Sequence, residues 1–152
     1  MSIEAPLSKY KKNNLMITAA VLAVLGAWFW YDGHYNQTFI EKHTVDGKAD
    51  GTLDFNRKAP PFMLIGAALV AVRFFMIKGK KIVADDKGLN YEKLTIPYDR
   101  IDSIDKTFFD KKGYFIVHYR NGQDQVKQVQ ISDRQYDNLP AVLDHLVSKL
   151  TS

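Results

Sequence analysis

The run Phe62–Ile77 (Phe-Met-Leu-Ile-Gly-Ala-Ala-Leu-Val-Ala-Val-Arg-Phe-Phe-Met-Ile) carries a single charge, Arg73, and is followed by Lys78-Gly-Lys-Lys81. A second run, Leu15–Tyr31, is apolar apart from Thr18 and ends in Trp28-Phe-Trp-Tyr31. Crossing the hydrocarbon of a bilayer takes about 17–25 such residues in a helix. A core helix of a soluble protein keeps a polar face, and neither run has one. A cleaved signal peptide would need a cut near the small residues Val24 and Gly26. The apolar run instead continues through Trp28 and Trp30, as an anchor does. Lysines at one end and interfacial aromatic rings at the other complete the pattern of a membrane span.

Charge placement then gives a topology. Lys9, Lys11 and Lys12 precede the first run, and Lys78, Lys80 and Lys81 follow the second. Between them, residues 32–59 hold five acids (Asp32, Glu41, Asp46, Asp50, Asp54) against four bases (Lys42, Lys48, Arg57, Lys58). The positive-inside rule therefore predicts both termini in the cytoplasm and the connection outside, which in a bacterium means the periplasm and the inner membrane. The predicted organisation is a tail over 1–13, spans over 14–31 and 60–79, an outer loop over 32–59, and a soluble domain over 80–152. The tail is expected to be ordered only by a partner. The loop is expected to bind something or to be flexible, with a short ordered piece around Tyr35–Ile40. Pro60-Pro61 is read as the first turn of the second helix. Alanines at 19, 23 and 27 and at 67 and 71 mark the faces by which the two helices would approach.

Arg73 lies four residues before Ile77, about 6 Å along the axis from the basic end, so its guanidinium can snorkel to the headgroups. The functional alternative is a pair with an acidic group or a cofactor of a partner subunit.

After Lys80 the pattern becomes strand and turn. Lys81–Ala84 leads to the turn Asp85-Asp-Lys-Gly88, then to short extended pieces at Leu89–Glu92 and Leu94–Pro97. After a polar stretch the turn Asp110-Lys-Lys-Gly113 precedes the clearest strand, Tyr114–Arg120. Asn121-Gly122 predicts a two-residue hairpin loop. That register sets Val126 beside Phe115, Val117 and Tyr119, and Val129 and Ile131 beside Tyr114 and Ile116 on the other face. Ser132-Asp-Arg-Gln135 matches a helix-start capping box, and Pro140 restarts the helix after Asn138. Leu139, Val142, Leu143, Leu146, Val147 and Leu150 then form one apolar helical face. About six strands and one closing helix predict an antiparallel, partly open barrel in an α+β domain.

The segments Ile82-Val-Ala-Asp-Asp-Lys-Gly-Leu89 and Leu94-Thr-Ile-Pro-Tyr-Asp-Arg-Ile-Asp-Ser-Ile104, followed by a hairpin and a C-terminal helix, resemble the bacterial pleckstrin-homology-like domains. Those often follow a pair of transmembrane helices. The resemblance covers residues 78–150 and implies a fold of usually seven strands and a role in binding or scaffolding. It brings no catalytic or ligand motif.

The chemistry-bearing residues are sparse. The absence of cysteine excludes thiolate metal sites, disulfides and thiol catalysis. Asp46, Asp50 and Gly51 fall at positions one, five and six of a calcium loop, but Lys48 and Arg57 stand where ligands are needed. His34, His43, His118 and His145 show no metal-ligand spacing. His118 and His145 read as solvated, His145 lying opposite the apolar stripe of its helix. No phosphate loop, nucleophile elbow or paired-carboxylate motif is present. The acids Asp85, Asp86, Asp99, Asp102 and Asp105 crowd turns and exposed positions. The net charge of +4 clusters beside the apolar runs rather than along one basic face, which favours lipid over nucleic acid.

The expectation is a non-enzymatic inner-membrane protein without cofactor or metal, an accessory or assembly subunit of a larger membrane complex. Its partners would be membrane lipids and other membrane-protein subunits. Lys78, Lys80, Lys81, Trp28 and Trp30 would lie at the membrane interface near lipid headgroups, and Arg73 would be the contact for a partner. The alternative is a lipid- or ligand-binding sensor, with Lys106, Lys111 and Lys112 near the headgroups. A membrane enzyme holding a metal at His34 and His43 is the third reading.

Overall fold

The computed structural model describes residues 2–151 and divides into two compact units. One unit, Asn13–Met76, is a pair of long helices with a small folded connection. Helix α1 spans Lys9–His34 and helix α3 spans Gly51–Ile77. Between them lie the short helix α2 (Gln37–Lys42) and the strands β2 (Thr44–Val45) and β3 (Lys48–Ala49). At 26 and 27 residues the long helices measure about 39 and 40 Å, more than the ~30 Å of bilayer hydrocarbon. Both are long and apolar enough to cross a membrane.

Small residues bring the two helices together. A Cβ on Gly33 would lie 2.7 Å from the Asn56 carbonyl oxygen, so the backbones meet where only glycine fits. Arg57 Nε donates to the Gly33 carbonyl at 2.9 Å, capping the last turn of α1. The Phe29 and Phe55 rings meet edge to face at 5.8 Å. The least exposed positions run Leu15, Ala19, Leu22, Gly26, Phe29, Gly33 on α1 and Leu53, Asn56, Pro60, Met63, Ala67, Val70, Phe74 on α3. Both series alternate steps of three and four, the seam of a left-handed antiparallel pair. The predicted alanine faces overlap this seam only in part, because Ala27 is exposed and Ala23 and Ala71 lie at its margin.

The connection is folded, not a loose loop. Asp46 (φ 51°) and Gly47 (φ 73°) make the left-handed two-residue turn between β2 and β3. Asp50 Oδ1 accepts the Thr52 and Leu53 amides at 2.9 and 2.8 Å and so caps α3. With that cap the helix starts at Gly51, and Pro60-Pro61, expected to open it, lies inside it.

The other unit combines residues up to Lys12 with those from Ile77 onward. Its strands are β1 (Ile3–Pro6), β4 (Lys81–Ala84), β5 (Gly88–Tyr91), β6 (Leu94–Pro97), β7 (Ile101–Asp105), β8 (Tyr114–Arg120) and β9 (Val126–Ser132). A 3-10 turn, Tyr98–Arg100, precedes β7, a one-turn helix α4 (Phe109–Lys112) precedes β8, and helix α5 (Leu139–Leu150) ends the chain. The strands form an antiparallel four-stranded sheet, β1-β4-β5-β6, and an antiparallel three-stranded sheet, β7-β8-β9. Neither sheet closes into a barrel.

Three local expectations give way here. Residues 1–13, expected to be a tail, supply β1, whose Ala5 pairs with Ile82, and Leu7 N–H donates to Lys80 O at 2.9 Å. Ala5 and Leu7 are fully buried, and that burial orders the segment without an external partner. The Asn121-Gly122 loop holds five residues, Asn121–Gln125, rather than two, and Phe115 faces Ile131 while Val117 faces Val129. The predicted register would have turned Val129 and Ile131 away from Phe115 and Val117. Burying Ile131 is worth about 1.5–3 kcal/mol and outweighs the turn preference. The Ser132 capping box starts no helix: residues 133–135 turn, Tyr136 bridges to Leu7, and α5 begins beyond Asn138 with Pro140 in its first turn.

The core lies between the sheets and α5, with Ile82, Leu89, Ile96, Phe115, Val117, Ile131, Val142 and Leu146 essentially inaccessible.

Candidate functional site

In the helix unit the aromatic residues expected at a membrane interface cluster at one end of α1. Trp28 is 62% exposed, and its indole donates to Asp32 at 2.7 Å. Trp30 is 39% exposed and stacks on His34, with ring centroids 4.3 Å apart. Tyr31 and Tyr35 stack one turn apart. A Trp with an apolar body and a bonded polar tip is the residue that favours a bilayer interface. Arg73 is exposed on α3 and has no ion pair among the described residues.

A narrow notch of about 220 Å³ opens between the two helices, lined by Leu15, Met16, Ala19, Ala71, Phe74 and Phe75. Ala19 and Ala71 leave the space that larger side chains would fill.

His34 and His43 serve different partners. His34 lies on Trp30, whereas His43 Nδ1 is 2.7 Å from Asp50 Oδ2. The Asp50 carboxyl is held below its usual range by the Leu53 amide and by His43. Asp46 and Asp50, the two acids of the calcium spacing, are thus a turn and a cap. Among the described residues no group of three His, Cys, Asp or Glu gathers as for a metal ion.

In the sheet unit two of the lysines expected beside the membrane, Lys80 and Lys81, pair with acids. Lys80 Nζ lies 3.1 Å from Glu92 Oε1, and Lys81 pairs with Glu4 of β1. Lys78 is exposed. Glu92 also receives the Tyr136 hydroxyl at 3.4 Å. Burial and the neighbouring Tyr91 and Glu92 push the Tyr136 phenol well above its usual range.

Among the clefts on the surface of this unit, two carry several charged side chains. The first, about 390 Å³, is lined by Asp99, Arg100, Asp102, Arg120, Asn121 and Asp124, and Arg120 is already paired with Asp102 at 3.1 Å. Another, about 540 Å³, lies between α4 and α5 and is lined by one base, Lys106, and two acids, Asp110 and Asp144, with Thr107, Phe109, Pro140 and Leu143. Lys112 sits over the Phe108 ring at 4.7 Å.

Two further carboxylates held below their usual range, Asp85 and Asp105, are turn caps. Asp85 accepts the Lys87 amide first and then that of Gly88, and Asp105 accepts the Thr107 hydroxyl and amide. Such bonds fix loops rather than poise a group for proton transfer. His145 departs from the solvated reading: its Nε2 is buried without a hydrogen-bond partner.

Sequence reasoning missed Gly26, Gly33 and Asn56 in the helix seam, and Tyr136 in the sheet unit. The seven-residue step from Gly26 to Gly33 was the available signal for the first group. Nothing local marks Tyr136. No protein-family model, curated protein or solved structure matches the chain.

Proposed function

We propose that this chain is a non-enzymatic integral membrane protein whose helix pair anchors a pleckstrin-homology-like domain at the cytoplasmic face of a bacterial inner membrane. There it acts as an accessory or assembly subunit of a larger membrane complex. The observation that carries this reading is the pairing of β1 with β4. Chain entering α1 and chain leaving α3 belong to one sheet, so both lie on the same side of any membrane the helices cross. The lysines flanking the two helices support assigning that side to the cytoplasm. Four plus three antiparallel strands and a C-terminal helix support the pleckstrin-homology-like assignment. The exposed apolar faces of α1 and α3, with Leu69, Val72, Phe75 and Met76 among their residues, offer area to lipid or to helices of other subunits, and Arg73 offers a charge.

Extraction in mild detergent followed by mass measurement tests the reading. Co-purification of other membrane proteins is the expected result, and a lone chain that captures nothing refutes the subunit role. A sensor role would draw on the exposed lysines Lys106, Lys111 and Lys112 at and beside α4, against the acids Asp110 and Asp144 of the adjoining cleft. It predicts salt-sensitive binding of the full chain to added anionic lipid that weakens when Lys106, Lys111 and Lys112 are neutralised together.

A further inference from the structure

The two sheets of the sheet unit present four edge strands, and three of them are guarded against pairing with another chain. β1 ends in Pro6 and β6 in Pro97, where the ring removes an amide. β7 carries Asp102 and Asp105 and shifts register between Ile101 and Ser103. β9 has neither proline nor bulge. It pairs with β8 without a break over all seven residues, and Lys127 is its single charge.

The hydrogen-bond phase of β9 shows which of its backbone groups are open. Just beyond its ends, Asn121 N–H donates to Gln125 O at 3.0 Å and Asp133 N–H donates to Gly113 O at 2.8 Å. Facing residues of an antiparallel ladder alternate between bonded and non-bonded pairs. Lys127, Val129 and Ile131 therefore bond to β8, while Val126, Gln128 and Gln130 turn both N–H and C=O away from it. These amides and carbonyls have no partner among the described residues, and all three residues are exposed. Such a row of alternating donors and acceptors is complementary to the edge of another extended strand.

We propose that β9 pairs antiparallel with β9 of a second copy of this chain, centred on Gln128. Laid against itself about that residue, the edge sets Gln128 opposite Gln128 and Val126 opposite Gln130. Every open amide and carbonyl of these three residues then finds a partner in the other copy. Centring on Val129 instead would set Val126 opposite Ser132, whose carbonyl already accepts the Gln135 and Tyr136 amides. The centred register brings one like-charge contact, because the two Lys127 side chains stand diagonally, about 7–8 Å apart. An edge this short makes a small interface, so the pair forms and parts with concentration. The inference uses the sheet unit alone and does not depend on the membrane reading.

The chain has no cysteine, so one introduced thiol reports the register. In the full chain, purified in mild detergent and gently oxidised, Gln128→Cys should link two copies. Facing bonded residues lie about 5.5 Å apart at Cα, within the span of a disulfide. Val126→Cys and Gln130→Cys, each alone, should link roughly tenfold more slowly or less, since each stands about 14 Å along the edge from its twin. Mixed together, those two variants should link to one another. Sedimentation of the unaltered chain should show a monomer–dimer equilibrium that moves toward dimer in high salt and in Lys127→Gln. Gln128→Pro removes an outward amide and leaves the β8 ladder whole, so it should weaken the dimer by roughly tenfold or more. Protection of the Val129 and Ile131 amides should persist in that variant. A chain that stays monomeric at every concentration, alone or with another protein bound, overturns the proposal. So does a dimer untouched by Gln128→Pro, or linkage as fast at Val126→Cys alone as at Gln128→Cys.

Discussion

Leu7→Ala separates a free N-terminal tail from a strand of the sheet. Leu7 is 2% exposed, its amide donates to Lys80 O at 2.9 Å, and it bridges to Tyr136. Alanine keeps the backbone bonds, so the cost is that of the lost side chain and the cavity it leaves, about 2–5 kcal/mol. A domain of this size is stable by roughly 5–15 kcal/mol, so the loss is a large share of the total. In hydrogen exchange on the full chain in detergent, the slowest amides of β4 should exchange roughly 30-fold to several thousand-fold faster, at about 1.4 kcal/mol per tenfold. Glu4→Ala is the control. Its pair with Lys81 is about half exposed on both sides, so removing it should cost no more than about 1 kcal/mol. If Leu7→Ala changes β4 exchange by less than about 0.5 kcal/mol, as a surface substitution would, β1 is not part of the sheet.

Four further outcomes are expected. Gly33→Ala should weaken the helix pair by about 1–3 kcal/mol because its Cβ meets the Asn56 carbonyl; Gly66→Ala, with Leu22 Cδ1 at 3.7 Å, should be tolerated, as thermal unfolding in detergent would reveal. Ile131→Ala should cost about 2–5 kcal/mol and Val126→Ala within about 0.5 kcal/mol in denaturant titration, and the reverse order would restore the two-residue hairpin. His145→Leu should stabilise the sheet unit by on the order of 1 kcal/mol, since an unsatisfied buried nitrogen is removed. The pH dependence has two signs. Asp50 is lowered from 3.8, so its cap of α3 contributes fully above that value and is lost as pH falls on through the lower folded value. Tyr136 is raised from 10.0, so its contribution is full below pH 10.0 and is lost only as pH rises through the higher folded value. Amide exchange at Thr52 and Leu53 follows the first, and phenol absorbance follows the second.

The two long helices were legible because apolarity on every face is a property of composition and needs no phase. That same uniformity hid their seam: when Leu22, Val24 and Leu25 are all apolar, no periodicity tells which one faces α3. The seam is set by backbone approach at Gly33 and Gly26, which only the partner helix reveals. β1 was illegible for another reason. Ile-Glu-Ala-Pro is too short to carry an alternation, and what makes it a strand is a neighbour on the far side of both helices. At the hairpin, Asn121-Gly122 sent a true local signal that a non-local one, the burial of Val129 and Ile131, overrode. Lys80 and Lys81 follow the second helix in the chain, but their partners Glu92 and Glu4 could not be read from the chain order.

The pairing of β1 with β4 also has a consequence in time. Glu4 and Lys81 lie 77 residues apart, a stretch that takes about 4–15 s to synthesise at ~5–20 residues per second. Throughout that interval the first strand has no neighbour, and closing so long a loop is left to the last stage of folding. If only one helix crosses the bilayer, the two strands finish on opposite sides of it and cannot meet. On the membrane reading proposed above, completion of the sheet would report correct insertion: a chain threaded incorrectly would leave an open strand edge and the apolar side chains of Ala5 and Leu7 uncovered.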